Sequence, residues 1–317
     1  MCQRTITIFM TQIWNFTTTS ILLLLFTNHS QLLAEDGFFI GFAQDTLGND
    51  WRLAQVMEVK KELDKHPNVR FIYTDGQGDT ALQVMHIEEM VNLGIDLLIT
   101  SPREKAALSE VIAKVYQWGI PVILLDRGID GDTYTTFIHP DNKPIAKAAA
   151  EYLVKALDGE GEILMLEGVP GATPTIHRTQ GFLSTINKHR KLKVTSRVAN
   201  YLRADAILAV EQLLMQGRRF DAIYAQSDSM AVGARMALRH HGIDPESISI
   251  VGIDYIREAQ QAIRHGEQAI SFTYPTGGTE GAHAAMMILN GKHVPKEIIL
   301  DSIKVSKENV DIISPIF

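Results

Sequence analysis

Short apolar runs alternate with segments of helical spacing along almost the whole chain, and this alternation constrains the fold more than any other feature. The first run covers residues 38–43, and residues 51–65 then have helical spacing. The same order recurs as far as residue 272. Short strands separated by helices of about 10–15 residues are typical of βαβ units. The sequence therefore predicts α/β architecture, with parallel sheets and right-handed crossovers.

The alternation restarts near residues 139–142, which predicts two consecutive α/β halves of similar size. A helix over residues 280–290 and a strand near residues 298–303 are left over after the second half, and we expect them to return to the first sheet. The predicted lobes are residues 37–139 with about 275–303, and residues 140–274 with about 304–317. A chain of 317 residues is long enough for two such domains.

The first 34 residues are predicted to be a secretory signal peptide, which implies export to the periplasm. They contain one charged side chain, Arg4, an apolar centre over residues 21–26 and the small residue Ala34 at the end. A membrane anchor is the alternative, but polar residues between 15 and 20 interrupt the apolar stretch, and a span needs about 20 apolar residues. The single cysteine, Cys2, excludes an internal disulfide.

Charge and motif content argue against several classes of function. The chain has 30 basic and 37 acidic residues, so it lacks the excess of basic side chains that nucleic acids require. The motifs Gly-x-Ser-x-Gly, His-Glu-x-x-His and the glycine-rich nucleotide loops are missing. His240 and His241 are the only adjacent histidines, and neighbouring residues on a helix point to different faces. We therefore expect that the protein binds no metal, cofactor or nucleic acid and that it is not an enzyme. The alternative is an enzyme in which Asp75 and Asp126 act as an acid–base pair.

Polar side chains follow nearly every predicted strand, and this is where open parallel sheets bind their ligands. Carboxylates, amides and arginines pair with hydroxyl groups, and an aromatic face covers the apolar side of a sugar ring. The set predicts a site for a polyhydroxylated ligand. Its members lie in the loops that follow the strands, which are residues 44–52, 74–77 (with Asp75) and 126–127 in the first half, and residues 167–172 with Arg178 beyond them, 200–203, 226–228 and 254–255 in the second.

Five residues in these loops also have a purely structural interpretation. Asp126 and Arg127 could form a surface ion pair, which would contribute about 0–1 kcal/mol. Trp51 could belong to the core, and Asp75 and Asp228 could cap helices.

Six stretches, taken in order, resemble the periplasmic sugar-binding proteins of the ribose-binding type. The likeness covers about residues 37–312. The stretches are residues 47–52 (Leu-Gly-Asn-Asp-Trp-Arg), 74–77 (Thr-Asp-Gly-Gln), 124–127 (Leu-Leu-Asp-Arg), 167–182, 225–234 and 251–254 (Val-Gly-Ile-Asp). The first three look most like the galactofuranose-binding branch of that family.

The resemblance implies a type I periplasmic binding protein, in which two doubly wound lobes close over one sugar at a three-stranded hinge. It implies that Arg127 and Arg178 hold sugar oxygens and that Tyr201 stacks on the ring. The site residues that it implies are Asn49, Trp51, Arg52, Asp126 and Arg127 in the first lobe, and Arg178, Tyr201, Ser227 and Asp254 in the second. Ser227 and Thr273 stand where ribose binders commonly have Asn and Gln, and both are shorter, so a roomier pocket or a different ligand is expected.

The resemblance also implies the partners. We expect a monomer that delivers a monosaccharide, either a pentose or a furanose-form hexose, to an ABC permease. A sensor module for a membrane kinase or chemoreceptor is the alternative. Repressors of the same fold carry an N-terminal DNA-binding segment, and here an apolar leader occupies that place.

Overall fold

The computed structural model describes residues 37–317, so the predicted signal peptide lies outside the described residues. Nine α-helices and twelve strands follow one another in the described part of the chain. None of these helices combines the length and the apolar character that a membrane crossing requires.

The first half of the fold alternates as the sequence predicts. Its elements are β1 (Phe38–Gln44), α1 (Asp50–Leu63), β2 (Val69–Asp75), α2 (Thr80–Asn92), β3 (Leu97–Ser101), α3 (Lys105–Gln117), β4 (Val122–Leu125) and β5 (Thr136–Pro140). All residues of β3 and β4 are buried, because helices cover both faces of a parallel sheet.

The second half repeats the pattern and is followed by three further elements. It contains α4 (Asn142–Ala156), β6 (Glu160–Glu167), α5 (Thr173–Ile186), β7 (Lys191–Val198), α6 (Arg203–Met215), β8 (Ala222–Ala225), α7 (Asp228–His240), β9 (Ser249–Val251), α8 (Arg257–His265) and β10 (Ile270–Phe272). The last elements are α9 (Gly278–Leu289), β11 (Glu297–Leu300) and β12 (Lys304–Ser306).

Two six-stranded sheets result, one in each lobe. The first has the order β11-β5-β4-β3-β1-β2, and the second has the order β12-β10-β9-β8-β6-β7. The pairs from β1 to β11 through β3, β4 and β5 are parallel, whereas β12 pairs antiparallel with β10. The chain crosses between the sheets three times, after β5, after β10 and after β11. The predicted two-lobe fold with a three-stranded hinge is thus confirmed, while the numerical limits of each lobe stay a prediction.

Two element boundaries differ from the sequence-based expectation. The sequence predicts a helix over residues 178–189, but α5 begins at Thr173, because Pro174 occupies its first turn, where the missing N–H costs nothing. The strand expected near residues 298–303 corresponds to β11, which ends at Leu300, and a further strand, β12, follows it in the other sheet. The final hinge crossing lies between them.

Candidate functional site

A cavity of about 220 Å³ lies between the two lobes, where several strands of both sheets end. Nine of the eleven residues predicted from the sequence line it. They are Asn49, Trp51, Arg52, Asp126, Arg127, Arg178, Tyr201, Ser227 and Asp254. This is the position at which open α/β sheets bind ligands, because the loops after parallel strands converge there.

The other two predicted residues lie outside the cavity lining. The Asp75 carboxylate accepts hydrogen bonds from the backbone N–H groups of Leu47 (3.0 Å) and Gln77 (2.8 Å), so it holds two loops in place. Thr273 borders a separate cavity at the hinge, and its Oγ1 accepts a hydrogen bond from the Ile303 N–H (2.8 Å). Both side chains therefore accept hydrogen bonds from nearby backbone N–H groups.

The capping interpretations of two aspartates are not supported. Helix α2 is capped by Asp79 rather than Asp75, and α7 is capped by Ser227 rather than Asp228. The Asp228 carboxylate instead accepts hydrogen bonds from the Tyr255 N–H (2.7 Å) and from two further side chains, Gln268 and Ser271.

Sequence reasoning missed several lining residues. Asp45 follows β1 directly, in the loop of residues 44–52 that the sequence analysis singled out, but it was not among the predicted binding residues. Tyr274 follows β10 on a hinge crossing, where no sequence signal marks it as part of the site. The others are Thr46, Gln77, Gly78, Arg103, Val169, Pro174, Asn200 and Leu202.

Two arginines and two aspartates form a buried ionic cluster on the first-lobe side of the cavity. Arg52 Nη2 lies 2.6 Å from Asp126 Oδ2, and Arg127 Nη1 lies 2.7 Å from Asp45 Oδ2. Burial raises the pKa of Asp126, but the guanidinium groups of Arg52 and Arg127 outweigh it and bring that pKa below its ordinary value. Asp126 is therefore an ionised hydrogen-bond acceptor.

A chain of hydrogen bonds connects this cluster to the second lobe. Tyr274 Oη donates to Asp126 Oδ1 (2.6 Å) and accepts from Asn142 Nδ2 (3.0 Å). Arg178 Nε donates to Asn142 Oδ1 (2.7 Å), and its guanidinium carbon lies 4.3 Å from the centre of the Tyr274 ring. Buried polar groups are stable only when they are paired. We call the series Arg52–Asp126–Tyr274–Asn142–Arg178 the hinge network.

Five lining residues other than glycine have a left-handed backbone, which is costly for such residues. The φ angles are 51° at Gln77, 63° at Asp126, 50° at Asn200, 61° at Tyr201 and 114° at Asp254. At Asp126 the Arg127 N–H donates to the Leu125 carbonyl (2.6 Å), which closes a γ-turn. This sharp turn lets two consecutive residues, Asp126 and Arg127, both line the cavity.

Several polar atoms at the site have no partner among the described residues. The buried Asp45 Oδ1 accepts no hydrogen bond from them, and the buried Arg127 Nε donates none. Burial raises the pKa of Asp254 well above its ordinary value; Arg178 opposes that shift, whereas Asp228 and Asp126 add to it. A ligand hydroxyl group could satisfy such groups.

The Tyr201 ring lies against the backbone of Gly168. A Cβ atom at residue 168 would fall 1.9 Å from Tyr201 Cζ, so only glycine fits there. The Tyr201 hydroxyl shares a hydrogen bond with Thr175 Oγ1 (2.8 Å). On the opposite side, Trp51 Nε1 donates to the Tyr274 carbonyl (3.1 Å). The cavity thus has fixed aromatic residues in both lobes.

Direct hydrogen bonds join the lobes around the cavity, so the arrangement is a closed one. Asn49 Nδ2 donates to the Tyr201 carbonyl (2.7 Å), and Asn49 Oδ1 also caps α1. Two further bonds join the Lys105 N–H to the Gly171 carbonyl (3.0 Å) and the Gly128 N–H to Thr173 Oγ1 (3.1 Å).

Comparison with known proteins identifies the family. Residues 40–293 match the periplasmic binding protein domain. The chain belongs to this family. It is 28% identical to the ribose import binding protein of Bacillus subtilis over 263 residues, which cover 82% of this chain and 85% of that protein. It is 27% identical to the galactofuranose-binding protein of Escherichia coli over 72% of this chain and 74% of that one.

Solved structures agree with this assignment. The fructose-binding periplasmic domain of a hybrid two-component system is 32% identical, with a TM-score of 0.81 over 87% of this chain and 92% of that domain. A solute-binding protein of an ABC transporter from Bacillus halodurans, with bound myo-inositol, is 27% identical, with a TM-score of 0.82 over 87% and 97%. The family resemblance inferred from the six sequence stretches is therefore confirmed.

Proposed function

We propose that this chain is a periplasmic receptor that captures a monosaccharide between its lobes and delivers it to an ABC transporter. The observation that carries the proposal is the closed cavity of about 220 Å³ with arginines, carboxylates and aromatic side chains in its lining. This volume is below the roughly 300–1,000 Å³ of pockets for drug-sized ligands, so a small polar ligand is favoured.

The chemistry of the lining supports a neutral polyol. Four arginines (Arg52, Arg103, Arg127 and Arg178) and three aspartates (Asp45, Asp126 and Asp254) line the cavity, so the fully ionised lining carries a formal charge of only +1. Arginine and carboxylate groups together donate to and accept from adjacent hydroxyl groups. Relatives named for ribose, galactofuranose and fructose bind ligands of this class.

Ligand capture would proceed by a shift between open and closed lobes. A sugar that contacts both lobes binds the closed form better, so it raises the population of that form. The closed shape is then what a permease would recognise.

A calorimetric titration of the purified protein with pentoses and with hexoses tests the proposal. One monosaccharide should bind, and Arg127→Ala or Asp254→Ala should each weaken it by about 2–5 kcal/mol, because each change leaves a buried polar partner unpaired. Arg264→Ala is the matched control, since Arg264 pairs with Asp311 on the surface. The proposal fails if no sugar binds, or if both site variants bind as tightly as the control.

A sensor role is the second candidate, and the likeness to a fructose-binding domain of a two-component system favours it. Deletion of the gene in the source organism separates the two roles. A transport receptor should be needed for uptake of the labelled sugar. A sensor should be needed for the transcriptional response, while basal uptake continues.

Two finer statements belong to the same proposal. Because the family is one of binding proteins, we propose that the bound sugar is released unchanged; product formation on prolonged incubation would contradict this. We also propose that the leader is removed near Ala34 during export, and N-terminal sequencing of the periplasmic protein tests the cleavage.

A further inference from the structure

We infer that Glu211, His240 and His241 form a binding site for a divalent transition-metal ion such as Zn²⁺. Glu211 belongs to α6, and the two histidines lie at the end of α7. One ligand atom from each residue lies within 4.8 Å of the other two. None of the three lines the sugar cavity, so this site is independent of the proposed function.

The two adjacent histidines lie at the C-terminal end of α7, and their rings approach each other. Helix α7 ends at His240, and His241 is its C-cap residue, whose N–H still donates to the Ala237 carbonyl (3.2 Å). The ring centres lie 5.7 Å apart, at an interplanar angle of 72°. The expectation that adjacent histidines point to different faces of a helix therefore did not anticipate how closely these two rings approach.

Glu211 supplies the third group from the neighbouring helix. Its Oε1 lies 2.6 Å from His240 Nδ1, so the carboxylate and the imidazole are already in contact. The Glu211 side chain is only 23% exposed, whereas that of His240 is 76% exposed. The carboxylate is thus the fixed member of the set, and the two imidazoles are free to turn towards an ion.

The donor set fits zinc better than calcium or magnesium. Two imidazoles and one carboxylate, with water in the fourth position, are a known ligand set for tetrahedral Zn²⁺. Bonds of about 2.0–2.2 Å at the tetrahedral angle place ligand atoms about 3.3 Å apart. The longest separation must therefore close by at most about 1.5 Å, and the 2.6 Å contact between Glu211 Oε1 and His240 Nδ1 must open by about 0.7 Å. Imidazole also suits Ni²⁺ and Cu²⁺, whereas Ca²⁺ and Mg²⁺ prefer oxygen ligands.

The cation next to the pair in sequence already has a partner. Arg239 precedes His240, and its guanidinium group pairs with the Glu267 carboxylate. A bound ion would connect α6 to α7, which pack against each other in the second lobe. Binding to the folded form alone would raise the melting temperature by mass action.

Calorimetry of the untagged, chelator-treated protein with Zn²⁺ tests the inference. We expect saturable binding of one ion and a rise in melting temperature, with little response to Mg²⁺. His240→Ala, His241→Ala and Glu211→Gln should each weaken Zn²⁺ binding at least tenfold. His265→Ala and His293→Ala, which remove exposed histidines elsewhere, should bind as the parent does.

Absence of saturable binding would overturn the site. Unchanged affinity in the His240→Ala, His241→Ala double variant would place the ion elsewhere and overturn it equally. Unchanged affinity in Glu211→Gln alone would refute the three-ligand arrangement. Sugar affinity in the absence of metal should be the same in all these variants, which separates this result from the fate of the proposed function.

Discussion

Replacement of Tyr274 by phenylalanine tests whether the hinge network orients the site or merely stabilises the fold. The change removes one hydroxyl group from the middle of the network. Asp126 Oδ1 then loses a donor at 2.6 Å, and Asn142 Nδ2 loses an acceptor at 3.0 Å. Both partners are buried, so water does not readily replace the lost bonds.

The expected loss of stability in Tyr274→Phe follows from the negative charge on Asp126. A hydrogen bond to a charged group contributes about 1.5–3 kcal/mol, so we expect Tyr274→Phe to lower the free energy of unfolding by about 2 kcal/mol. In a protein of this size, that corresponds to a melting temperature lower by about 4–8 °C. Asp126 and Arg178 both line the cavity and lose a shared support, so we expect sugar affinity to fall about tenfold.

Tyr255→Phe is the matched control. The buried Tyr255 hydroxyl donates to the carbonyls of Val310 (2.9 Å) and Ile313 (3.0 Å), and Tyr255 does not line the cavity. Its loss should lower stability while sugar affinity stays unchanged. Thermal unfolding and calorimetry measure the two quantities separately. If Tyr274→Phe lowers stability but binds sugar as tightly as Tyr255→Phe, the network is purely structural and the reasoning is refuted.

Three further predictions follow from other polar groups. Asn49→Asp keeps the oxygen that caps α1 but loses the donor to the Tyr201 carbonyl, so affinity should fall about tenfold while stability is retained. The buried Tyr224 hydroxyl has no partner among the described residues, so Tyr224→Phe should raise the free energy of unfolding by about 1 kcal/mol. Burial raises the pKa of Asp228 from 3.8 to about 6, so its contribution to stability is full below pH 3.8 and is lost as the pH rises through 6.

Each of these predictions has a clear contrary result. Calorimetry showing unchanged sugar affinity in Asn49→Asp would mean that the bond across the lobes does not favour closure. A destabilised Tyr224→Phe, seen by denaturant unfolding, would reveal a partner for the hydroxyl group. The stability of the parent relative to Asp228→Asn should decline by about 3 kcal/mol between acidic and neutral pH. A constant difference would contradict the raised pKa.

The expectation that polar residues after strands line the site is confirmed for strands in the middle of a sheet. Asp126 and Arg127 follow β4, and Ser227 and Asp254 follow β8 and β9, all of which have neighbours on both sides. After the edge strands the outcome differs, because the Asp75 carboxylate after β2 binds nearby backbone, whereas Tyr201 after β7 lines the cavity. The sequence shows where strands end but not their order in the sheet.

The hinge residues were harder to predict because their partners are far away in sequence. Tyr274 contacts Asp126 and Asn142, which lie 148 and 132 residues before it. Thr273, its neighbour, was predicted and faces a different cavity. Which of two adjacent residues faces the sugar cavity depends on how the crossing segments pack, and no local pattern records that.

The alternation of apolar runs and helices by itself determined the α/β class, the two lobes and most strand ends, because a βαβ unit buries its apolar residues with a local periodicity. The chemistry of the site was also visible in the sequence, since polar residues follow the buried strands. Only the tertiary structure decided which strand ends are central, how Tyr274 and Asn142 connect the lobes, and that Glu211 meets His240 and His241. These arrangements depend on packing between distant segments, which local sequence does not encode.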